Sequence, residues 1–245
     1  MPLTRATRPP AAAFLCEQNP LAASPNNAWI PYSVRRVDNL AGGAPLVVGN
    51  ATAATVVSGT LGSGAGKTAN GYTNLFTSAS TDAWGSAVGI FRLRGSNAGV
   101  PLFGNSSQNA AIYVDATGHL SAYISSGQRV VGATVLGVND TFVVGFRNDP
   151  TAGYEMYLNG VRDDAGGVSG WGSIGAITAI GTAGTSFQVA VDFFGLFTWP
   201  ARYFLTPAQF YELGVNPWQL LSVPTWTMRV PALLAAAVLL GQACL

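Results

Sequence analysis

From Trp29 onward the chain is made of short runs of β-branched and aromatic residues that Gly, Asn, Asp and Ser separate. One run ends at Leu158 and is followed by Asn159-Gly160, the strongest short hairpin signal, because both central residues of a type I′ turn need positive φ. A second hairpin is predicted where residues 111–115 and 120–124 flank a four-residue loop. This alternation of runs and turns is typical of an all-β sandwich.

Two segments depart from the strand pattern. Residues 59–71 are rich in Gly and Ser, and we expect them to form a flexible loop. They do not form a phosphate-binding loop, because Leu61 stands where that motif requires glycine. Thr206-Pro207-Ala208-Gln209 has the elements of a capping box, which predicts a short helix that Gly214 closes.

The chain carries very little charge. Only 9% of its 245 residues are charged, the formal net charge is +1, and hydrophobic residues make up 49%. A disordered chain needs the opposite balance, and a nucleic-acid-binding protein normally shows a basic patch. A surface so poor in charge is also poor at repelling copies of itself. We therefore expect other subunits to cover much of it.

The two ends of the chain differ from its middle. Residues 1–28 contain five prolines and no periodicity, which predicts an extended arm, and residues 29–221 form the predicted domain. Residues 222–245 form an apolar segment whose uncharged stretch of twelve residues is shorter than the roughly 20 of a membrane span. We expect it to be a docking or oligomerisation element, as a helix or as a strand on a neighbour, rather than a membrane anchor. Its expected assembly residues are Leu233, Leu234, Ala237, Val238 and Leu240.

The second half of the chain resembles the concanavalin A-like, or laminin G-like, jelly roll of tailed-phage and prophage virion proteins. The likeness rests on the strand from Phe142 to Phe146, the strand and turn from Tyr154 to Gly160, and the closing unit from Leu205 to Leu221. The closing unit contains an Asn-Pro-Trp-Gln sequence that looks like the family's terminal motif. The resemblance implies an antiparallel jelly-roll β-sandwich with one short C-terminal helix.

The same resemblance implies a function. It points to a non-enzymatic virion structural protein, such as a capsid decoration, head-fibre or tail component, assembled in the host cytoplasm. Its partners would be other virion proteins and copies of itself, with no nucleic acid and no membrane. The alternative is a glycan-binding adhesin that recognises polysaccharide on a host surface. Fold alone does not decide between these functions.

Few residues could carry chemistry. A glycoside hydrolase needs two carboxylates about 5–9.5 Å apart, and the three glutamates, Glu17, Glu155 and Glu212, form no such pattern. The single histidine, His119, lies in the hairpin loop with no accompanying nucleophile motif. We therefore expect no catalytic residues and no required cofactor.

Two kinds of binding site remain open. The resemblance makes calcium possible, with Asp163 and Asp164 as candidate ligands, although calcium needs six to eight oxygens. Trp84 and Trp171, in Gly- and Ser-rich sequence, are the candidate glycan-binding residues, and a tryptophan in a loop is equally typical of a subunit contact.

The two cysteines, Cys16 and Cys244, stand near opposite ends of the chain. We interpret them as buried free thiols, because an unpaired cysteine packs like a small apolar residue. A disulfide bond between them is the alternative.

Overall fold

The computed structural model describes residues 14–16, 18–22, 24–32, 36–49, 54–59, 62–67, 75–95, 99–105, 110–124, 127–164, 174–181 and 191–222. This part of the chain contains eighteen β-strands, one α-helix, α1 (Pro207–Val215), and one 3-10 helix (Pro217–Leu220). The strands are β1 (Phe14–Leu15), β2 (Asn27–Trp29), β3 (Arg36–Val37), β4 (Leu46–Val48), β5 (Ala54–Gly59), β6 (Gly62–Lys67), β7 (Phe76–Ser78), β8 (Trp84–Leu93), β9 (Val100–Gly104), β10 (Ala110–Val114), β11 (His119–Ile124), β12 (Gly127–Val135), β13 (Thr141–Asp149), β14 (Gly153–Leu158), β15 (Val161–Arg162), β16 (Ala179–Ile180), β17 (Val191–Pro200) and β18 (Leu221–Ser222).

The strands form two large antiparallel sheets. The first sheet has the order β12-β11-β10-β9-β16-β7-β4-β3, and the second has the order β15-β14-β13-β8-β17-β6-β5, with β2 pairing with β17. A small third sheet joins β1 to β18. The expected fold class, an all-β antiparallel jelly-roll sandwich with one short C-terminal helix, is confirmed.

Aromatic side chains fill the space between the two large sheets. Phe91 of the second sheet stacks on Phe103 of the first, with ring centroids 6.1 Å apart and an angle of 11° between the rings. Trp84 contacts both Phe103 and Phe146 at centroid distances of 6.0 and 5.7 Å. Burial of each such side chain contributes about 1.5–3 kcal/mol, so these strands are fixed by their inward residues.

A second apolar cluster covers the outer face of the second sheet. The covering elements are α1, the 3-10 helix and residues 16 and 18–22. Tyr157 stacks on Phe210 of α1 at 4.1 Å between centroids, and the Trp199 indole donates to the Leu21 carbonyl at 3.1 Å. Strand β17 is consequently buried on both faces, as its continuous apolar sequence predicts.

The closing helix begins where the sequence predicts, but it runs through Gly214 to Val215 and ends at the C-cap Asn216, so the prediction that Gly214 closes it is wrong. Thr206 is its N-cap, and the reciprocal bonds between Thr206 and Gln209 complete the capping box. Gly160, at φ +82° in the turn after β14, lies against α1 at Gly214. A Cβ on Gly214 would overlap the Gly160 backbone, so two glycines allow the helix to pack on this turn.

The prediction of a flexible loop at residues 59–71 is wrong where the structure describes them. Residues 62–67 form β6, which pairs in register with β5 and with Phe193 of β17. Glycine is needed here for close packing: a Cβ on Gly64 would overlap the Phe193 carbonyl, and one on Gly66 would overlap the Asp192 carboxylate. Composition that is typical of loops thus serves a crowded strand.

Part of the segment expected to be an extended arm is packed on the sandwich. Strand β1 pairs with β18, strand β2 pairs with β17, and Cys16, Leu21 and Ala22 are buried in the covering cluster. Apolar contacts with the second sheet offset the entropy lost on ordering these residues. Residues 1–13 lie outside the described residues.

Cys16 is disulfide-bonded, so the free-thiol interpretation is wrong for this residue. The sequence contains one other cysteine, Cys244, which lies outside the described residues.

The apolar C-terminal segment is described only as far as residue 222. The expected assembly residues lie outside the described residues: Leu233, Leu234, Ala237, Val238 and Leu240. Among the helices in the described ranges, none has the length and apolar character needed to span a membrane.

Candidate functional site

The outer face of the first sheet is the large sheet surface that the helices leave open. Both helices of the described ranges pack on the second sheet instead. On β12, at the edge of the first sheet, Val131 and Val135 are 37% and 61% exposed. Exposed apolar side chains grouped with polar ones are typical of interaction surfaces.

Two tyrosines and a serine occupy the middle of this face. Ile112 and Val114 point into the core, so Tyr113 between them points outward. The same alternation in β11 turns Ser121 and Tyr123 outward, and Tyr113 lies directly opposite Ser121. Tyr113 and Tyr123 are diagonal neighbours, with Cβ atoms about 7 Å apart. Both side chains are half-buried.

Asp115 at the hairpin turn anchors these polar side chains. Its Oδ1 accepts hydrogen bonds from the Thr117 amide at 2.9 Å, the Thr117 hydroxyl at 2.6 Å and the His119 amide at 3.1 Å. Its Oδ2 accepts from the Ser121 hydroxyl at 3.1 Å. Ser121 is also hydrogen-bonded to the Tyr113 side chain. We call Tyr113, Ser121, Tyr123 and Asp115 the tyrosine face.

The electrostatics of the tyrosine face favour the neutral form of the Tyr113 phenol and the charged form of the Asp115 carboxylate. Burial raises the pKa of Tyr113, and the nearby Asp115 and Tyr123 raise it further against the lowering effect of the Ser121 hydrogen bond. Burial also acts to raise the pKa of Asp115, but hydrogen bonds from Thr117, His119 and Ser121 outweigh it and hold that pKa below its ordinary value.

This arrangement suits the recognition of a ligand with both apolar and hydroxyl-bearing faces. A tyrosine ring offers apolar area with a polar tip, and the Asp115 carboxylate beside it can accept hydrogen bonds from ligand hydroxyls. Ser121 is fully buried and connects Tyr113 to Asp115 without reaching the surface. A few oriented polar groups among apolar ones are typical of small-molecule sites. The four side chains of the tyrosine face contain one carboxylate, whereas most glycoside hydrolases use a pair of them.

The predicted glycan-binding tryptophans do not form this surface. Trp84 is 3% exposed, begins β8 and packs in the core between Phe103 and Phe146. It therefore cannot serve as a platform for a ligand. Its loop-like sequence context reflects Gly85, where a Cβ would press on the Pro200 and Ala201 carbonyls. Trp171 lies outside the described residues.

The two calcium candidates are engaged in structural contacts. Asp163 accepts from the Thr134 hydroxyl at 2.5 Å, which ties β12 to the end of β15. Asp164 accepts from the Met156 amide at 3.0 Å and pairs with Arg162 at 3.0 Å. The described residues contain no group of three or more His, Cys, Asp or Glu side chains placed to hold a metal ion.

Of the residues weighed for catalysis, Glu155 has the most defined environment. It is 3% exposed, pairs with Arg147 and with Arg162 (3.0 Å), and accepts from the Tyr157 hydroxyl at 2.8 Å. Burial and the Glu155 carboxylate raise the pKa of Tyr157 far above its ordinary value. Its carboxylate is thus occupied by two guanidinium groups and a phenol, which makes Glu155 part of a buried structural network.

The other catalytic candidates have different surroundings. Glu212 is exposed on α1. His119 begins β11, and its backbone amide belongs to the turn around Asp115.

The sequence pattern alone does not identify the tyrosine face as a binding site. The alternation that puts Leu120, Ala122 and Ile124 in the core also places Ser121 and Tyr123 on the opposite face. The same pattern in β10 identifies Tyr113. The alternation in β10 and β11 thus indicates which side chains point outward, but the sequence does not show which sheet the helices leave open.

No protein-family model matches the chain, and a search of curated proteins finds no significant match. Solved structures share the fold. A mutant of Trypanosoma rangeli sialidase that displays trans-sialidase activity has a TM-score of 0.57 at 10% identity, over 78% of this chain and 32% of the sialidase. This chain therefore spans about a third of that enzyme's length.

Two further solved structures are similar over comparable parts of this chain. Domain 4 of a GH43 extracellular arabinanase from Geobacillus stearothermophilus, in complex with arabinotriose, has a TM-score of 0.53 at 15% identity, over 78% of this chain and 98% of the domain. The binding domain of Paraclostridial Mosquitocidal Protein 1 has a TM-score of 0.52 at 13% identity, over 79% and 52%. At these identities the likeness establishes a lectin-like β-sandwich fold, which both enzymes and binding domains contain.

Proposed function

We propose that this chain is a non-catalytic glycan-binding sandwich that recognises neutral sugar units on its tyrosine face. The observation that carries the proposal is the pair Tyr113 and Tyr123, half-exposed on the sheet face that the helices leave open. The arabinotriose complex of a domain with the same fold supports a sugar as the ligand class.

The tyrosine face is organised before a ligand arrives. Hydrogen bonds connect Tyr113 to Ser121 and Ser121 to Asp115. A side chain that is already held loses less rotamer entropy on binding, which can amount to about 0.5–1.5 kcal/mol for each immobilised side chain. The sugar's C–H face packs on the rings and its hydroxyls bond to the polar edge. Asp115, ionised at neutral pH, disfavours acidic sugars.

The absence of catalysis is part of the proposal. The Glu155 carboxylate is paired with Arg147 and Arg162 and bonded to Tyr157, so these contacts occupy it. Asp115 is bonded to four donor groups of its own turn and strand.

Glycan binding is tested by measuring the retention of the full chain on immobilised arabinan, β-glucan and starch. Immobilised polygalacturonate serves as the acidic comparison. We expect retention by at least one neutral polysaccharide, weaker retention by polygalacturonate, and no release of reducing sugar. Failure to bind any of the neutral polymers contradicts the glycan-binding function. Release of reducing sugar contradicts the non-catalytic part.

We further propose that the protein works as a component of a phage or prophage virion. The supporting observation is the closing unit, which folds as the resemblance implies, with a capped helix followed by Asn216 capping a 3-10 helix at Trp218. A chain with only 9% charged residues suits a surface covered by other virion proteins and copies of itself. In that setting the tyrosine face would meet the host-surface polysaccharide.

The virion role is tested on particles induced from the bacterium that encodes the chain. We expect the protein to remain with purified particles through a density gradient, and gold-labelled antibody to mark their capsid or tail. Its recovery only in the particle-free fraction contradicts this role.

A further inference from the structure

A groove lies on the opposite side of the sandwich, where residues 18–21 meet α1 and the 3-10 helix. Its volume is about 560 Å³, within the usual range of small-molecule sites. The lining residues are Gln18, Asn19, Pro20, Leu21, Gln209, Glu212 and Gln219. Four of these seven side chains are amides, one is a carboxylate, and none is basic.

Hydrogen bonds fix the walls of this groove. The Asn19 amide donates to the Gln219 carbonyl at 3.3 Å, and its oxygen accepts from the Leu21 amide at 2.9 Å. These contacts tie the N-terminal segment to the 3-10 helix. The Gln209 side-chain oxygen accepts from the Thr206 amide at 2.8 Å, which turns its NH₂ group toward other partners. The groove is therefore a built feature of the fold.

Three polar groups in the groove are available to a ligand. Within the described part of the chain, the Gln209 NH₂ group, the Glu212 carboxylate and the Gln219 side-chain amide have no hydrogen-bond or ion-pair partner. Together they offer donors and acceptors on planar groups. Pro20 and Leu21 add apolar area beside them.

We propose that this groove is a second sugar-binding site, which takes one neutral sugar unit. Planar amide and carboxylate groups can each bond to adjacent hydroxyls, while Pro20 and Leu21 contact the C–H face of the ring. Glu212 has no basic neighbour among the lining residues, so it repels a uronic acid. The site goes beyond the tyrosine face and makes the protein bivalent, since the two surfaces lie on opposite sides of the sandwich.

The test compares neutral and acidic sugars that differ at one carbon. The full chain, labelled with ¹⁵N-glutamine, is titrated with glucose and galactose and separately with glucuronic and galacturonic acid. We expect saturable shifts of the Gln209 and Gln219 side-chain amides with at least one neutral sugar, and none with its acid. Single substitutions of each glutamine assign the resonances.

Variants separate this site from the tyrosine face. Glu212→Ala should weaken the neutral sugar about tenfold, the usual effect of losing a hydrogen bond to a charged group. Glu212→Gln should allow the uronic acid to bind within about threefold of the neutral sugar. Tyr211→Ala, on the same helix but outside the groove lining, and Tyr113→Ala on the other sheet should leave the glutamine shifts unchanged.

Each contrary outcome has a distinct meaning. If Gln209 and Gln219 do not shift while the protein still binds polysaccharide through Tyr113, the groove proposal is overturned and the proposed function stands. Equal binding of neutral and acidic sugars by the unaltered protein also overturns the groove proposal, because Glu212 would then not select. Loss of the glutamine shifts in Tyr113→Ala would also overturn the groove proposal, because an independent site on the opposite side of the sandwich should not depend on Tyr113.

Discussion

Tyr113 and Ser121 lie directly opposite each other on strands β10 and β11, and their side chains are hydrogen-bonded on the outer face of the first sheet. The Ser121 hydroxyl donates in turn to Asp115 at 3.1 Å. These hydrogen bonds connect Asp115 in the turn to the Tyr113 side chain. A substitution at Asp115 should therefore change both the free energy of unfolding and the affinity for sugar.

Asp115→Asn tests this link through pH. The folded-state pKa of Asp115 is lowered, so its charge contributes stability that is present above the ordinary aspartate pKa, 3.8, and is lost as pH falls through the lower folded value. We expect Asp115→Asn to be less stable than the unaltered protein at pH 7, with the difference shrinking below about pH 4. Urea unfolding at pH 7, 4 and 3 measures it. A difference that stays constant across this range contradicts the assignment.

Glu155→Gln should destabilise the protein without affecting sugar binding. The substitution removes the closer of the two carboxylates paired with the largely buried Arg147 and leaves only Asp149 at 4.0 Å, and breaking such a buried pair costs about 3 kcal/mol. The matched control is Asp38→Asn in the exposed Arg36–Asp38 pair, which should change the free energy of unfolding by less than about 1 kcal/mol. Chemical denaturation measures both. Equal changes in the free energy of unfolding for the two substitutions would contradict a buried ion pair between Glu155 and Arg147.

Gly214→Ala should destabilise the protein although alanine favours helices. On an isolated helix the change gains about 1 kcal/mol, but here the added Cβ overlaps the backbone of Gly160. Overpacking of this kind costs about 1–3 kcal/mol, so we expect a lower melting temperature in calorimetry. An unchanged or higher melting temperature would mean that α1 does not pack on the turn after β14.

The disulfide bond of Cys16 predicts how many thiols can be labelled before and after reduction. Because Cys16 is disulfide-bonded and the sequence has two cysteines, maleimide should label no thiol in denaturant without reductant and two after reduction. Mass spectrometry of the intact chain reads the number of labels directly. Two labels before reduction would contradict the disulfide.

The sequence alone predicts those parts of the fold that local chemistry determines. The hairpin around Asp115, the Asn159-Gly160 turn and the Thr206 capping box each follow from a few adjacent residues. Their turn and cap preferences need no distant contact.

The remaining features depend on contacts between residues far apart in the sequence. Gly64 and Gly66 lie in a strand that β17 approaches so closely that a Cβ at either position would overlap it. Trp84 is buried in the core because Phe103 and Phe146 pack around it. Among the described elements, α1 and residues 16 and 18–22 pack on the other sheet and not on the tyrosine face. No local pattern states which sheet will be covered.

The central claim, that the tyrosine face binds sugar, is tested most directly by calorimetric titration of Tyr113→Ala and Tyr123→Ala with the neutral polysaccharide that the unaltered protein retains. Tyr211→Ala is the matched control, an equally simple loss of an exposed tyrosine on α1, over the other sheet. We predict that each change on the tyrosine face weakens binding about tenfold, since one aromatic contact contributes about 1 kcal/mol or more, while Tyr211→Ala binds like the unaltered protein. Unchanged affinity in both Tyr113→Ala and Tyr123→Ala, with the fold intact by circular dichroism, would contradict the account.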